Sequence, residues 1–129
     1  MTRINISSGS SFEKPIGFSR AVRIGNNISV AGTAPIGTDG KTAYPGDAYL
    51  QTKRCFEIIK IAIEKAGGKM ENVIRTRLML TDISKWKDAA KAHGEVFSEI
   101  RPACTFVEVK GLIESDWLVE IETDCILEN

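Results

Sequence analysis

Few side chains in this sequence are of types that do chemistry, and their scarcity narrows what the chain can catalyse. There is 1 histidine, His93, and the 3 cysteines, Cys55, Cys104 and Cys125, are widely separated. A serine or cysteine nucleophile activated by imidazole would have to use His93. One histidine without a cysteine pair at ligand spacing speaks against a zinc site, and an odd, scattered set of thiols against a disulfide framework. His93 shares an apolar helical stripe with Trp86, Ala89, Ala90 and Phe97. It is expected to be a packed histidine with one hydrogen bond, with Trp86 a core residue on the same stripe. Cys55 and Cys125 fall at core positions of their own segments. The acids of the last segment are more informative. Glu120, Glu122 and Asp124 alternate with Val119, Ile121, Thr123 and Cys125, so a strand there turns apolar residues to a core and acids, with Leu118 and Ile126, the other way. A face of such mixed character suits an oligomer surface or a cleft wall. Gly32 and Thr33 follow an apolar run at the mouth of a long loop. A glycine there either lets backbone approach a ligand, its N–H on an oxyanion, or is an ordinary strand exit.

These residues need a scaffold, and the pattern predicts one. Arg3 to Ile6 reads as a short strand and Ser7 to Pro15 as a polar loop. Val22 and Ile24 are expected to answer Ile28 and Val30 across a hairpin at Gly25-Asn26-Asn27. The segment from Gly32 to Gly46, with Pro35, Asp39-Gly40 and Pro45, reads as a surface loop. From Asp47 onward Leu50, Cys55, Phe56, Ile58, Ile59, Ala62 and Ile63 recur near helical spacing, until Gly67-Gly68 stops the run. Val73 to Leu80 reads as a strand. A second helix is expected to open on Ser84 as N-cap and to close before Pro102. Strands follow at Thr105 to Val109 and Leu118 to Leu127. One mixed sheet with two helices on one face, an α+β fold in a single domain over residues 1–129, accommodates this order.

Composition excludes several partners. Lys and Arg number 17 and Asp and Glu also 17, so there is no surplus of cations to drive nucleic-acid or membrane-surface binding. No apolar run approaches the ~18 residues that span a bilayer. Met1 to Ser11 lacks the apolar core of an export signal, which makes the cytoplasm the expected location.

The C-terminal third carries a recognisable pattern. Arg101-Pro102-Ala103-Cys104-Thr105, followed after a turn by Val119-Glu120-Ile121-Glu122, resembles the signature of the RidA/YjgF family. Gly17-Phe18-Ser19-Arg20-Ala21-Val22, Ala31-Gly32-Thr33-Ala34-Pro35 and the strand ending Leu80-Thr81-Asp82 match the same family in order and spacing. The resemblance covers nearly the whole chain. It implies a chorismate-mutase-like α+β fold assembled as a homotrimer, with a small-molecule cleft between subunits and no bound metal or cofactor. It also implies a reaction, the hydrolysis of imines and enamines, typically reactive 2-imino acids, to the 2-oxo acid and ammonia. In such proteins an Arg within Pro-Ala-Arg holds the substrate carboxylate, and a Glu of the final strand orients or activates the attacking water. Carried over, that Glu is Glu120, while Phe18, Gly32, Thr33 and Cys104 line the substrate.

The sequence departs from the pattern where the chemistry is most demanding. Cys104 stands at the clamping Arg, Phe18 where Tyr is common, and Ala90 where the second helix often has Asn. A carboxylate buried without its partner costs ~3–5 kcal/mol, or two to three orders of magnitude in binding at ~1.4 kcal/mol per tenfold. A neutral thiol does not make up that loss. Arg101, three residues before Cys104, points to the opposite face of an extended chain. Arg20 and Arg23 of a neighbouring subunit remain, and the expectation is that neither replaces the clamp. Cys104 itself is expected to fill space as a small apolar side chain rather than to react. Trp117 either shapes the cleft near Glu120 or covers a subunit joint. The expected function is hydrolysis of an imine, enamine or related metabolite with Glu120, deficient towards 2-imino acids. The alternative is a non-catalytic binding or regulatory trimer in which Glu120 is structural. A ribonuclease or translation inhibitor, and a chorismate mutase, rank lower because both demand convergent cations.

Overall fold

The computed structural model describes residues 2–128. Its elements are β1 (Arg3–Ile6), α1 (Glu13–Ile16), β2 (Ala21–Ile24), β3 (Asn27–Thr33), α2 (Ala48–Lys65), β4 (Val73–Leu80), α3 (Trp86–Phe97), β5 (Ala103–Glu108) and β6 (Val119–Ile126). The strands form one sheet in the order β1-β2-β3-β6-β4-β5. Every neighbouring pair is antiparallel except β4 with β5, which are parallel and joined through α3. The last strand therefore closes between β3 and β4, in the middle of the sheet, and both long helices cover one face. This is the mixed α+β arrangement that the sequence predicts.

The alternation in β6 explains the layering. Val119, Ile121, Thr123 and Cys125 are buried, while Glu120, Glu122 and Asp124 are only partly covered. The buried set packs with Val73, Leu78 and Leu80 of β4 against Cys55, Phe56, Ile59, Ala62 and Ile63 of α2. Each large aliphatic side chain removed from water in this way contributes roughly 1.5–3 kcal/mol. Helix α2 begins on Asp47, whose carboxylate accepts the Leu50 N–H at 2.9 Å. It ends where Gly67, at φ +89°, takes the left-handed conformation that only glycine adopts cheaply.

Several local expectations need correction. The β2–β3 hairpin turns on two residues, Gly25 and Asn26, so Ala21 pairs with Val30 and Arg23 with Ile28. Val22 and Ile24 consequently lie opposite Ser29 and Asn27, one register step from the predicted pairing and on the other face. Arg23 turns towards the helices instead, where its Nη1 donates to the Ala66 carbonyl at 2.7 Å at the end of α2. A guanidinium there satisfies an orphan carbonyl and complements the helix dipole. The Ser7–Pro15 segment is not all loop, because α1 begins at Glu13. Asp82, not Ser84, supplies the cap: its Oδ1 accepts the Ser84 N–H at 3.0 Å, and a 3-10 turn, Ile83–Lys85, precedes α3. Trp86 is 45% exposed rather than core. It sits at the first turn of α3, beside the edge strand β5, with Phe106 edge-to-face against it at 6.5 Å between centroids and the Lys87 ammonium 5.9 Å from its ring centre.

His93 fulfils its expectation. It lies among Phe56, Phe97 and Phe106, and its Nε2 is 2.9 Å from the Oγ1 of the fully buried Thr76. Burial pushes its pKa below the ordinary 6.5. Between the two values the folded state binds fewer protons than the unfolded chain. The stability from neutral His93 is therefore complete above about pH 6.5 and is lost as pH falls through the folded value. Urea midpoints should decline below about pH 6.5 in the wild type and less steeply in His93→Phe. Thr76→Val, which strands the ring nitrogen, should cost about 1 kcal/mol near pH 8 in the same measurement.

Candidate functional site

Glu120 owes its position to its neighbours. Because Val119 and Ile121 turn into the core, the pleat turns Glu120 to the face away from the helices. Across β4 it lies opposite Met79. On the β3 side the ladder is irregular between Val30 and Thr33, and Gly32 falls within that irregularity. A Cβ at Gly32 would stand 2.6 Å from Glu120 Oε1 and 3.2 Å from its Cδ. The missing side chain is thus the space that the carboxyl occupies. Burial pushes the Glu120 pKa above the ordinary 4.5, with Glu122 adding to the rise and Arg20 opposing it.

Arg20 immediately precedes β2. Its N–H donates to the Ile6 carbonyl at 2.8 Å, and its own carbonyl accepts the Ala31 N–H at 2.9 Å, which fixes it beside Gly32. The guanidinium lies over the Phe18 ring, 5.5 Å from the centroid. Its Nε is shut off from solvent and has no hydrogen-bond partner. Phe18, Arg20, Gly32 and Glu120 thus form one cluster on the open side of the sheet. Next to it runs a groove of about 680 Å³, whose walls include Phe18, Val22, Ser29, Ala31, Arg77 and Glu122. Arg77 and Glu122, opposite one another on β4 and β6, form an ion pair there.

The remaining candidates lie elsewhere. Thr33 is fully buried and its hydroxyl donates to the Ala31 carbonyl at 2.9 Å, so only its backbone is offered near the cluster. Cys104 is exposed on the edge strand β5, opposite Thr76, whose side chain faces the helices. Within one chain Cys104 and Glu120 consequently occupy opposite faces of the sheet. Ala90 is half-buried on α3, on the helix side. Trp117 donates its Nε1–H to Thr42 Oγ1 at 3.1 Å, joining the loop after β3 to the loop before β6.

Gln51, which the sequence reading passed over, ties the same loops together. Fully buried, it donates to the carbonyls of Ala43, Tyr44 and Asp116, while its Oε1 accepts the Leu118 N–H at 2.8 Å. A polar residue one helical step (i, i+4) before Cys55, in phase with the apolar stripe, was the available signal. For Arg20 the signal was its spacing of two from Phe18, which puts both on one side of an extended chain. No group of His, Cys, Asp and Glu among the described residues is arranged to hold a metal ion, and no helix among them is long and apolar enough to cross a membrane.

A mixed six-stranded sheet with two long helices on one face, and a half-buried glutamate over a glycine gap on the other, defines a class of small α+β protein. Residues 10–127 match the family model described as endoribonuclease L-PSP, and the chain belongs to that family, the RidA/YjgF family. A crystal structure from Mycobacterium tuberculosis, of a member of the YjgF/YER057c/UK114 family, is 42% identical with a TM-score of 0.89, covering 98% of this chain and 100% of that one. An uncharacterized protein of Streptomyces coelicolor is 39% identical over 120 residues, 92% of this chain and 88% of its own. A RutC family protein of Pyrococcus abyssi is 38% identical over 110 residues, 84% and 86% of the two chains.

The glycine gap leads to a direct prediction. In Gly32→Ala the added methyl group would overlap Glu120 Oε1, the far end of a flexible side chain, so the carboxyl swings away while the sheet stays intact. A crystal structure of the variant should show the carboxyl displaced, with stability changed by no more than about 1 kcal/mol. A carboxyl still in its original place would contradict this account.

Proposed function

We propose that this protein hydrolyses small imines or enamines at a cleft between the subunits of a homotrimer, with Glu120 as the group that activates water. The observation that carries the reading is the Glu120 carboxyl itself, half-buried over Gly32 and outside every ion pair of the described residues. A carboxylate left in this condition can accept a proton, whereas Glu122, paired with Arg77, is already engaged. In the reaction Glu120 takes a proton from water as the oxygen bonds to the C=N carbon, and the C=N electron pair moves to nitrogen, which is protonated. Glu120, having passed its proton to that nitrogen, then takes the carbinolamine hydroxyl proton and delivers it to the amine; the C–N bond breaks as the C=O forms and ammonia leaves, giving the carbonyl product. Water and imine are consumed, and no redox partner is required. The backbone at Gly32 and Thr33 and the ring of Phe18 would line the substrate.

Cys104 sets the substrate range. Since Cys104 and Glu120 lie on opposite faces of one chain, a cleft containing both draws them from different subunits. A 2-imino acid bound there meets a thiol where the clamp would be, and its carboxylate loses a charge-assisted, two-pronged partner. Short 2-imino acids are therefore poor substrates, and imines or enamines without a clamped carboxylate are preferred. RNA is a weaker proposal, because the charges balance at 17 against 17 and phosphate contacts need a surplus of cations.

Imines generated in situ by an amino-acid oxidase provide the test. Wild-type turnover of 2-imino acids should be low, and Cys104→Arg should raise it about 100-fold if the missing clamp limits binding. Glu120→Gln should lower the hydrolysis of any accepted imine by about 100-fold or more. Because Glu120 must be ionised and burial raises its pKa, activity should fall on the acid side with a midpoint above 4.5. Equal rates in wild type and Glu120→Gln would remove this function.

A further inference from the structure

Among the described residues the buried polar side chains are Thr33, Gln51, Thr52, Thr76 and Thr123. Thr33 and Thr52 bond to carbonyls of their own elements, and Thr76 meets His93. Gln51 reaches further. Its Nε2 lies 3.2, 3.3 and 3.0 Å from the carbonyl oxygens of Ala43, Tyr44 and Asp116, and its Oε1 accepts the Leu118 N–H at 2.8 Å. Two amide hydrogens are thus shared among three carbonyls, which fixes the orientation of the side chain. Each partner leads back to the candidate site. The Ala43 N–H donates at 2.8 Å to the carbonyl of Pro35, three residues beyond Gly32. Leu118, whose own carbonyl accepts the Thr81 N–H at 3.1 Å, stands two residues before Glu120. Tyr44 sits at φ +46°, a conformation that a residue with a side chain keeps only where its surroundings hold it.

We propose that Gln51 is a positioning residue of this site: its amide bridges the chain leaving β3 and the chain entering β6, and so holds the Glu120 carboxyl over Gly32. The proposal rests on the reading of Glu120 as the water-activating group and adds the part that aims it. The β3–β6 ladder runs no further than Thr33 opposite Ile121, so Glu120 is the next residue out. Beyond that pair the connection passes through Gln51. It runs from Thr33 to Pro35, across to Ala43, through the amide to Leu118, and along the chain to Glu120. The anchor is firm, because Gln51 lies in the first turn of α2 behind the Asp47 cap and is fully buried. The tolerance at the other end is small. Oε1 of Glu120 stands only 2.6 Å from the place of a Gly32 Cβ, and a misplacement of about 1 Å is enough to cost a reaction on the order of 100-fold. A second tie between the same loops lies elsewhere. The Thr42 hydroxyl donates to Asp116 Oδ1 at 2.8 Å and accepts the Trp117 Nε1–H at 3.1 Å. It works through side chains and does not touch the Leu118 backbone.

Crystal structures and imine kinetics of the same variants make the test. Gln51→Met keeps the volume and removes every hydrogen bond of the amide. Its Glu120 carboxyl should leave the Gly32 gap by about 1 Å or more, and kcat should fall about tenfold or more, with a smaller change in KM. Gln51→Asn, with the same groups on a stem one carbon shorter, takes its place if Gln51→Met does not fold. In Gln51→Glu the acceptor for Leu118 remains, and burial among carbonyls keeps the acid protonated with one hydrogen to donate. That variant should recover most of the lost kcat. Thr42→Val, which cuts the second tie, should leave both the carboxyl and kcat unchanged. A carboxyl still over Gly32 in Gln51→Met, one displaced as far in Thr42→Val, or no recovery in Gln51→Glu would each overturn the proposal. The two readings fail separately. A displaced carboxyl in a protein that hydrolyses no imine would remove the reaction and leave the positioning role. Hydrolysis with an unmoved carboxyl would do the reverse.

Discussion

Strand β6 is buried on one side and acidic on the other, and it lies between β3 and β4 rather than at an edge. Its inward residues, Val119, Ile121, Thr123 and Cys125, cannot leave the core under α2 without losing the burial that stabilises the sheet. A slip of one residue would put Glu120, Glu122 and Asp124 beneath the helices. Core packing therefore fixes the position of the acids as firmly as any contact they make themselves. The site inherits its rigidity from the hydrophobic side of the same strand.

On that framework the local chemistry is a balance between desolvation and charge. Half-burial favours a neutral Glu120, and a single nearby cation opposes it. Gly32 contributes by having no side chain, which lets the carboxyl lie close to the β3 backbone. The guanidinium of Arg20 rests on the face of the Phe18 ring.

Much of the scaffold was legible because periodicity reports directly on burial. The alternation of β6 and the apolar stripe of α2 were readable for that reason, and so was the packed state of His93. The misreadings share a different cause. Whether the β2–β3 turn holds two residues or three changes nothing in composition, yet it exchanged the faces of Val22 and Arg23. Asp82 and Ser84 are both good caps in isolation, and only the 3-10 turn that carries the chain into α3 selects Asp82. Trp86 fits the stripe by spacing. It is uncovered because β5, beside it, is the last strand of the sheet.

By itself the sequence determined the order of the strands and the two long helices, the inward and outward faces of β6 and the packed position of His93. Each follows from residue type or from spacing along a single element. Only the tertiary structure decided which side chains meet. It set Arg20 on Phe18 next to the Gly32 gap, left Cys104 on the face opposite Glu120, and gave Gln51 to the loops that flank the site. These pairings join segments up to 88 residues apart along the chain, as between Gly32 and Glu120. Strand order and β-ladder register govern them, and neither is encoded in any one element.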